Sequence, residues 1–199
     1  MKKTIMLWLF AIVSIVSFAQ NTTEHLKFMG IPINGTITQF QSKLLAKGCT
    51  LNRVSNTLPI GCRAFRGNFI GNKVEIYVYY DEKTKTVYRT KAVISGTSED
   101  LADQKYNEFK DMLIKKYDDE LGFQQSDKQS FSILVISKNQ NYDPDSTYSA
   151  STHSYKGEID LYVTKDDTYA RYPYWYNVHI DYIDAKNKEK HDNQSLEDL

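Results

Sequence analysis

The stretch Phe28-Met-Gly-Ile-Pro-Ile-Asn-Gly-Thr-Ile-Thr-Gln-Phe-Gln-Ser-Lys-Leu-Leu-Ala-Lys-Gly-Cys49 decides how this chain folds. Phe28–Ile33 reads as a short extended segment at an edge, because Pro32 has no N–H to give to a ladder. Asn34-Gly35 then turns the chain. Thr36 followed three residues later by Gln39 is a capping box, and Thr38 with Gln41 repeats the pattern. Ile37, Phe40, Leu44 and Leu45 recur on one face of the predicted helix, with Gln39, Lys43 and Lys47 toward water. Gly48 supplies the left-handed stop. A helix with one apolar stripe needs a surface to cover, and the rest of the chain reads as that surface.

Downstream, Thr50–Gly61 has loop character, and three strand-like runs follow: Cys62–Ile70, Lys73–Asp81 and Thr86–Ser95. Lys73–Asp81 alternates cleanly, Val74, Ile76, Val78 and Tyr80 against Lys73, Glu75, Tyr77 and Tyr79. Gly71-Asn72 marks a hairpin, and a meander is the natural pairing of neighbouring strands. Thr97 or Ser98 caps a second helix, along which Ala102, Tyr106, Phe109, Leu113 and Tyr117 keep helical spacing. Phe131–Lys138, apolar at alternate and intervening positions alike, reads as a central strand covered on both sides. Tyr148–Tyr155 and Glu158–Lys165 flank a second hairpin signal at Lys156-Gly157, and Tyr174–Asp184 alternates again. The expected fold is α+β, an antiparallel sheet with two helices on one face, in a single domain over 20–184. Its possible helix-plus-three-strand halves are 28–95 and 96–184. Residues 185–199 are rich in Lys, Glu, Asp, Asn and Gln and read as a disordered tail.

At the other end, Met1-Lys2-Lys3, the apolar run Ile5–Phe18 and the small residues Ser17 and Ala19 form a secretory signal peptide, cut after Ala19. The chain is therefore expected in the periplasm, at the cell surface or outside the cell of a Gram-negative bacterium. Its 199 residues carry 25 basic and 25 acidic side chains, so removing Lys2 and Lys3 leaves the remainder slightly acidic. A balance this close to zero gives no field to draw nucleic acid or an anionic membrane. Past the leader, no apolar run is long enough to span a bilayer.

An even pair of cysteines in an exported chain, Cys49 and Cys62, predicts a disulfide stapling the first helix to the first strand. Two buried thiols are the rival reading. Catalytic use of Cys49 is disfavoured, since a helix C-terminus repels a thiolate.

The search for chemistry returns little. There is no nucleophile elbow, zinc-protease helix, phosphate-binding loop or dinucleotide fingerprint. His179 and Asp181 share a strand face and could be drawn with His153 as metal ligands, but no third spaced ligand exists and alternating solvent-facing residues explain them. Asp143-Pro-Asp145-Ser-Thr147 and Asp166-Asp167 lack the calcium-loop spacing. The chain is therefore read as a non-enzyme with no cofactor and no metal. The positive signal is aromatic: Tyr77 and Tyr79 on the polar face of one strand, Tyr162 on another, and Tyr169, Tyr172 and Trp175 leading into the last. Sharing an open face, Tyr77, Tyr79, Tyr162 and Trp175 would make a rigid patch for a protein partner or a glycan. Buried under a second layer they would be core. A small-ligand cleft between helices and sheet is the alternative mode of binding.

The leader ending Ser-Phe-Ala-Gln and the run Phe28–Gly48 resemble small exported proteins of Bacteroides-type bacteria. In those proteins, Asp145-Ser-Thr147 has the form of an O-glycosylation acceptor. The order of elements is similar to that of the tandem helix-plus-sheet inhibitors that bind β-lactamases. That resemblance is one of architecture, a paired α+β arrangement, and does not extend to function; the cysteine pattern of those inhibitors is not matched.

Overall fold

A computed structural model describes residues 25–53, 58–127, 129–136, 155–166 and 175–196. The leader, His153, the acidic loop 143–147 with its acceptor triplet, most of the strand expected over 148–155, and Tyr169 and Tyr172 lie outside these residues.

The opening segment folds as a hairpin of β1 (Lys27–Phe28) and β2 (Ile31–Pro32), followed by α1 (Ile37–Ala46). The capping box is made: Thr36 N–H donates to Gln39 Oε1 at 3.0 Å and Gln39 N–H donates to Thr36 Oγ1 at 3.4 Å. Gly48, at φ +83°, closes the helix as a Schellman motif, its N–H donating to Leu45 O and that of Cys49 to Leu44 O. Ile37, Phe40 and Leu44 are buried, whereas Leu45, expected on the same face, is exposed.

Among the described residues, eight antiparallel strands make the main sheet: β3 (Thr50–Leu51), β4 (Cys62–Phe69), β5 (Asn72–Tyr80), β6 (Val87–Thr97), β7 (Leu121–Asp127), β8 (Ser130–Ile136), β9 (Tyr155–Asp166) and β10 (Trp175–Asp184). Their order is β3-β4-β5-β6-β10-β9-β8-β7. The second helix, α2 (Glu99–Tyr117), is capped by Ser98 and buries the five residues its spacing predicts. The element order is thus helix plus a four-strand meander, twice, with the last strand of each meander paired at the seam. β3, inside the segment read as loop, and β7 add edge strands to the two meanders. Both helices lie on one face: Arg63, which shares that face with Phe65, donates to Gln41 of α1, and Phe109 of α2 stacks on Phe69 at 6.2 Å. Phe28 continues the aromatic column, 5.1 Å from Phe69 and edge-on to Tyr182.

The sheet overturns three expectations, and the C-terminal helix a fourth. The cysteines are free and buried, with no disulfide between them. Gly67 of β4 lies over Cys49, whose Sγ is 2.7 Å from where a Gly67 Cβ would sit. Cys62 is five residues from Gly67 along the same strand, so it points to the opposite face, about 16 Å away. A bridge would have to pass through the sheet. The second hairpin is absent: Gly157 lies inside β9, where a Cβ would sit 2.1 Å from Ile183 O and 2.7 Å from Leu26 Cδ1. Glycine there marks a close backbone approach. Strand β8 is second from the edge rather than central. It buries Phe131, Ile133 and Val135 while Leu134 and Ile136 remain half-buried.

The tail, finally, is helical over α3 (Ala185–Leu196). Asp184 Oδ1 accepts the Asn187 N–H at 3.1 Å, and buried Asn187 Nδ2 donates to Ile33 O and Val87 O, each at 2.9 Å. His191 stacks on Tyr88 at 4.3 Å and pairs with Asp81 at 2.9 Å, holding α3 against the β5–β6 turn. Polar contacts secure this helix, which is why an apolar count misses it.

Candidate functional site

With α1 and α2 on one face and α3 along the β5–β6 end, the other face of the sheet is left without a helix among the described residues. Strand register places side chains on it in rows. One row runs Ala64, Tyr77, Lys91, Asp181, Asp160, Ser132; the next runs Cys62, Tyr79, Arg89, Ile183, Glu158, Leu134; a third holds Glu75, Val93, His179 and Tyr162. Tyr77, Tyr79 and Tyr162 are therefore on one face, as their alternation requires, and all three are half-buried. Tyr162 lies three strands from the other two, about 14 Å across the ladder. Trp175, at the start of β10, is on the same face by parity but at its far end, and is 41% exposed.

The centre of the face is ionic. Asp181, 1% exposed, accepts from Arg89 Nε at 2.9 and 3.0 Å and again from Arg89 Nη2. The guanidinium also sits 4.8 Å over the Tyr79 ring. This fork joins β6 to β10 across the seam between the halves. Bonding to Asp181 raises the guanidinium's already high pKa further, so the charge is permanent.

Around it, the tyrosines are held rather than loose. Tyr77 donates to Glu75 Oε2 at 2.8 Å, and Arg66 pairs with the same carboxylate at 3.6 Å. Burial, helped by that acceptor, pushes the Tyr77 phenol up to about 12. Tyr79 is also pushed up to about 12, chiefly by burial. Both are neutral donors at physiological pH. Tyr162 has His179 stacked on it at 4.6 Å and the Lys91 ammonium 5.5 Å from its ring. His179 Nε2 is 2.7 Å from Thr164 Oγ1, and its buried Nδ1 has no hydrogen-bond partner among the described residues. Burial, reinforced by the Lys91 charge, holds this imidazole down at about 4, so it is neutral at pH 7.

Charge divides along the seam. Among the described strand residues of this face, Arg66, Arg89 and Lys91 lie on the β4–β6 side together with Glu75, while Glu158, Asp160 and Asp181 lie on the β8–β10 side. Ser132 Oγ donates to Asp160 Oδ1 at 2.5 Å. Burial raises the Glu158 pKa, and the neighbouring Asp160 and Asp181 carboxylates add to the rise. Among the described residues, no group of three or more His, Cys, Asp or Glu is arranged to hold a metal ion. His179 and Asp181 do share this face, but Asp181 spends its lone pairs on Arg89. No helix among the described residues is long and apolar enough to cross a membrane.

Sequence reading placed Tyr77, Tyr79 and Tyr162 on polar strand faces and had Trp175 lead into the last strand. It did not single out Arg89, Lys91, Glu158 or Asp160, although their i, i+2 spacing along two strands was the available signal. Cys62, read as a staple, is instead part of this face, opposite Tyr79.

A comparison with known families, curated proteins and solved structures finds no match to this chain.

Proposed function

We propose that the chain is an exported, non-catalytic binding protein that presents the open face of its sheet to a protein partner. The observation that carries this reading is the common face of Tyr77, Tyr79 and Tyr162 around the Arg89–Asp181 fork. Rigid tyrosines pre-fixed by Glu75 and His179 lose little side-chain freedom on binding, which is what makes Tyr and Arg effective anchors. From β4 to β9 the face is about 24 Å wide and about 30 Å long, on the order of 700 Å². A standard interface uses about 800 Å² per partner. Its basic and acidic halves favour a partner surface with the reverse division, which sets orientation and encounter rate. A glycan would use the tyrosines but has no need of the charge division, and so ranks second.

The test is affinity capture from the exported fraction by wild type, Tyr77→Ala/Tyr79→Ala, and a helix-face control, Lys43→Ala. A partner retained by wild type and control but lost by the double variant supports the reading. Capture of the same proteins by all three overturns it.

A further inference from the structure

The helix-covered face holds a second feature, independent of the open face. Between α2 and the tips of two hairpins lies a cavity of about 210 Å³, lined by Met29, Phe69, Ile70, Phe109, Leu113 and Tyr182 among others. Its neighbour, about 400 Å³, shares Gly30 and Lys116 with it and has a lining that mixes charged and apolar side chains. Three lysines, Lys27, Lys116 and Lys156, line that outer space against a single glutamate, Glu120, which Lys156 already pairs at 3.0 Å. An apolar chamber thus adjoins a space lined by cationic side chains, with Lys116 in the shared wall. The Lys116 ammonium lies 4.7 Å over the Tyr117 ring, and burial, together with nearby Lys27, lowers its pKa, while Glu120 opposes the shift.

The backbone adds a separate argument. Both hairpin tips are two-residue turns with positive φ throughout: Met29 at 52° with Gly30 at 77°, and Ile70 at 49° with Gly71 at 74°. Such turns favour Asn or Asp at the first position, and a β-branched residue at positive φ is an outlier. In both turns the residue at that position is apolar and lines the same cavity. Ile70 is 46% exposed and Met112, also at the rim, 40% exposed. Strain of this kind is retained where a binding site needs the side chain. Structure alone would be better served by Asn at Ile70.

We propose that the cleft between α2 and the two hairpin tips binds a soluble anionic amphiphile, its alkyl chain among Met29, Ile70, Phe109 and Leu113 and its carboxylate at Lys116 and Lys27. The apolar walls select the chain, and the lysines select the charge.

Calorimetric titration with decanoate, decan-1-ol and acetate tests this, using the full chain. Decanoate binds at least about tenfold tighter than decanol, and acetate gives no measurable binding, because each site half contributes. Lys116→Gln weakens decanoate about tenfold and leaves decanol unchanged. Ile70→Asn raises the melting temperature by relieving the turn, yet weakens both chain-bearing ligands. Gain of stability with loss of binding is a signature that a merely packed residue would not give. Equal binding of decanoate and decanol, or wild-type binding by both variants, overturns the proposal. So does sedimentation with anionic phospholipid vesicles that decanoate does not compete away, since the ligand would then be a bilayer.

Discussion

Replacing Arg89 by Met asks how much the seam depends on one ion pair. Asp181 is 1% exposed and accepts three hydrogen bonds from Arg89. Removing one partner of a fully buried pair costs about 3–5 kcal/mol, because the remaining charge is left unsolvated. Two features reduce that here. The Arg89 side chain is 33% exposed, so water already shares the pair, and Lys91 stands directly opposite Asp181 in the register. Met keeps the packing of the stem on Tyr79 but loses the cation–π contact, worth about 0.5–1 kcal/mol. The expected loss is about 2–3 kcal/mol, or about 4–12 °C in melting temperature for a chain of this size. Urea unfolding of wild type, Arg89→Met, Asp181→Asn and the double variant measures it. Because a neutral amide is cheaper to bury than an unpaired carboxylate, adding Asp181→Asn to the Arg89→Met variant recovers about half of the loss. If Arg89→Met costs under about 1 kcal/mol, or the double variant is less stable than Arg89→Met alone, the pair does not hold the seam.

Two further outcomes follow from buried titratable groups. Cys62, pushed up to about 11 by burial despite the Arg89 and Lys91 charges, and Cys49, also raised by burial, should resist alkylation at pH 8 in the folded protein. Both should alkylate on unfolding without reductant, and a mass that shows two tags only after reduction would restore the disulfide. His179 should titrate by NMR near 4, well below the ordinary value of about 6.5. Between those values the unfolded chain takes a proton that the folded chain refuses. This group's contribution is thus complete above pH 6.5, falls as pH drops toward 4, and is constant below. His179→Gln should flatten the stability–pH slope in that window, and an unchanged slope would show that the imidazole is solvated. Glu158, raised by burial, acts in the opposite sense, its contribution being lost as pH rises.

Local chemistry written into neighbouring residues was legible from sequence. Thr36, Gln39 and Gly48 bound α1 because caps act over three or four residues, and the alternation in Lys73–Asp81 assigned Tyr77 and Tyr79 to the polar face because a strand has period two. The same parity rule, applied to β6 and β9, would have found Arg89, Lys91, Glu158 and Asp160. Three features depended on pairing partners far apart in the chain. The seam of β6 with β10 put the tyrosines of one half beside the charges of the other. The opposite facing of Cys49 and Cys62 followed from Gly67 lying over one of them. The helix at 185–196 formed because Asp184, Asn187 and His191 found partners at Ile33, Val87, Tyr88 and Asp81, a polar docking that composition does not register.

Sequence alone therefore determined the α+β class, both main helices with their buried stripes, and the sidedness of the tyrosines, all consequences of short-range periodicity and capping. Tertiary structure decided that the two meanders meet through their last strands, leaving one sheet face open and closing the other over a cleft. The physical reason is that hydrogen-bond register between distant strands, which fixes every neighbour on a sheet, is a property of the pairing and not of any one segment.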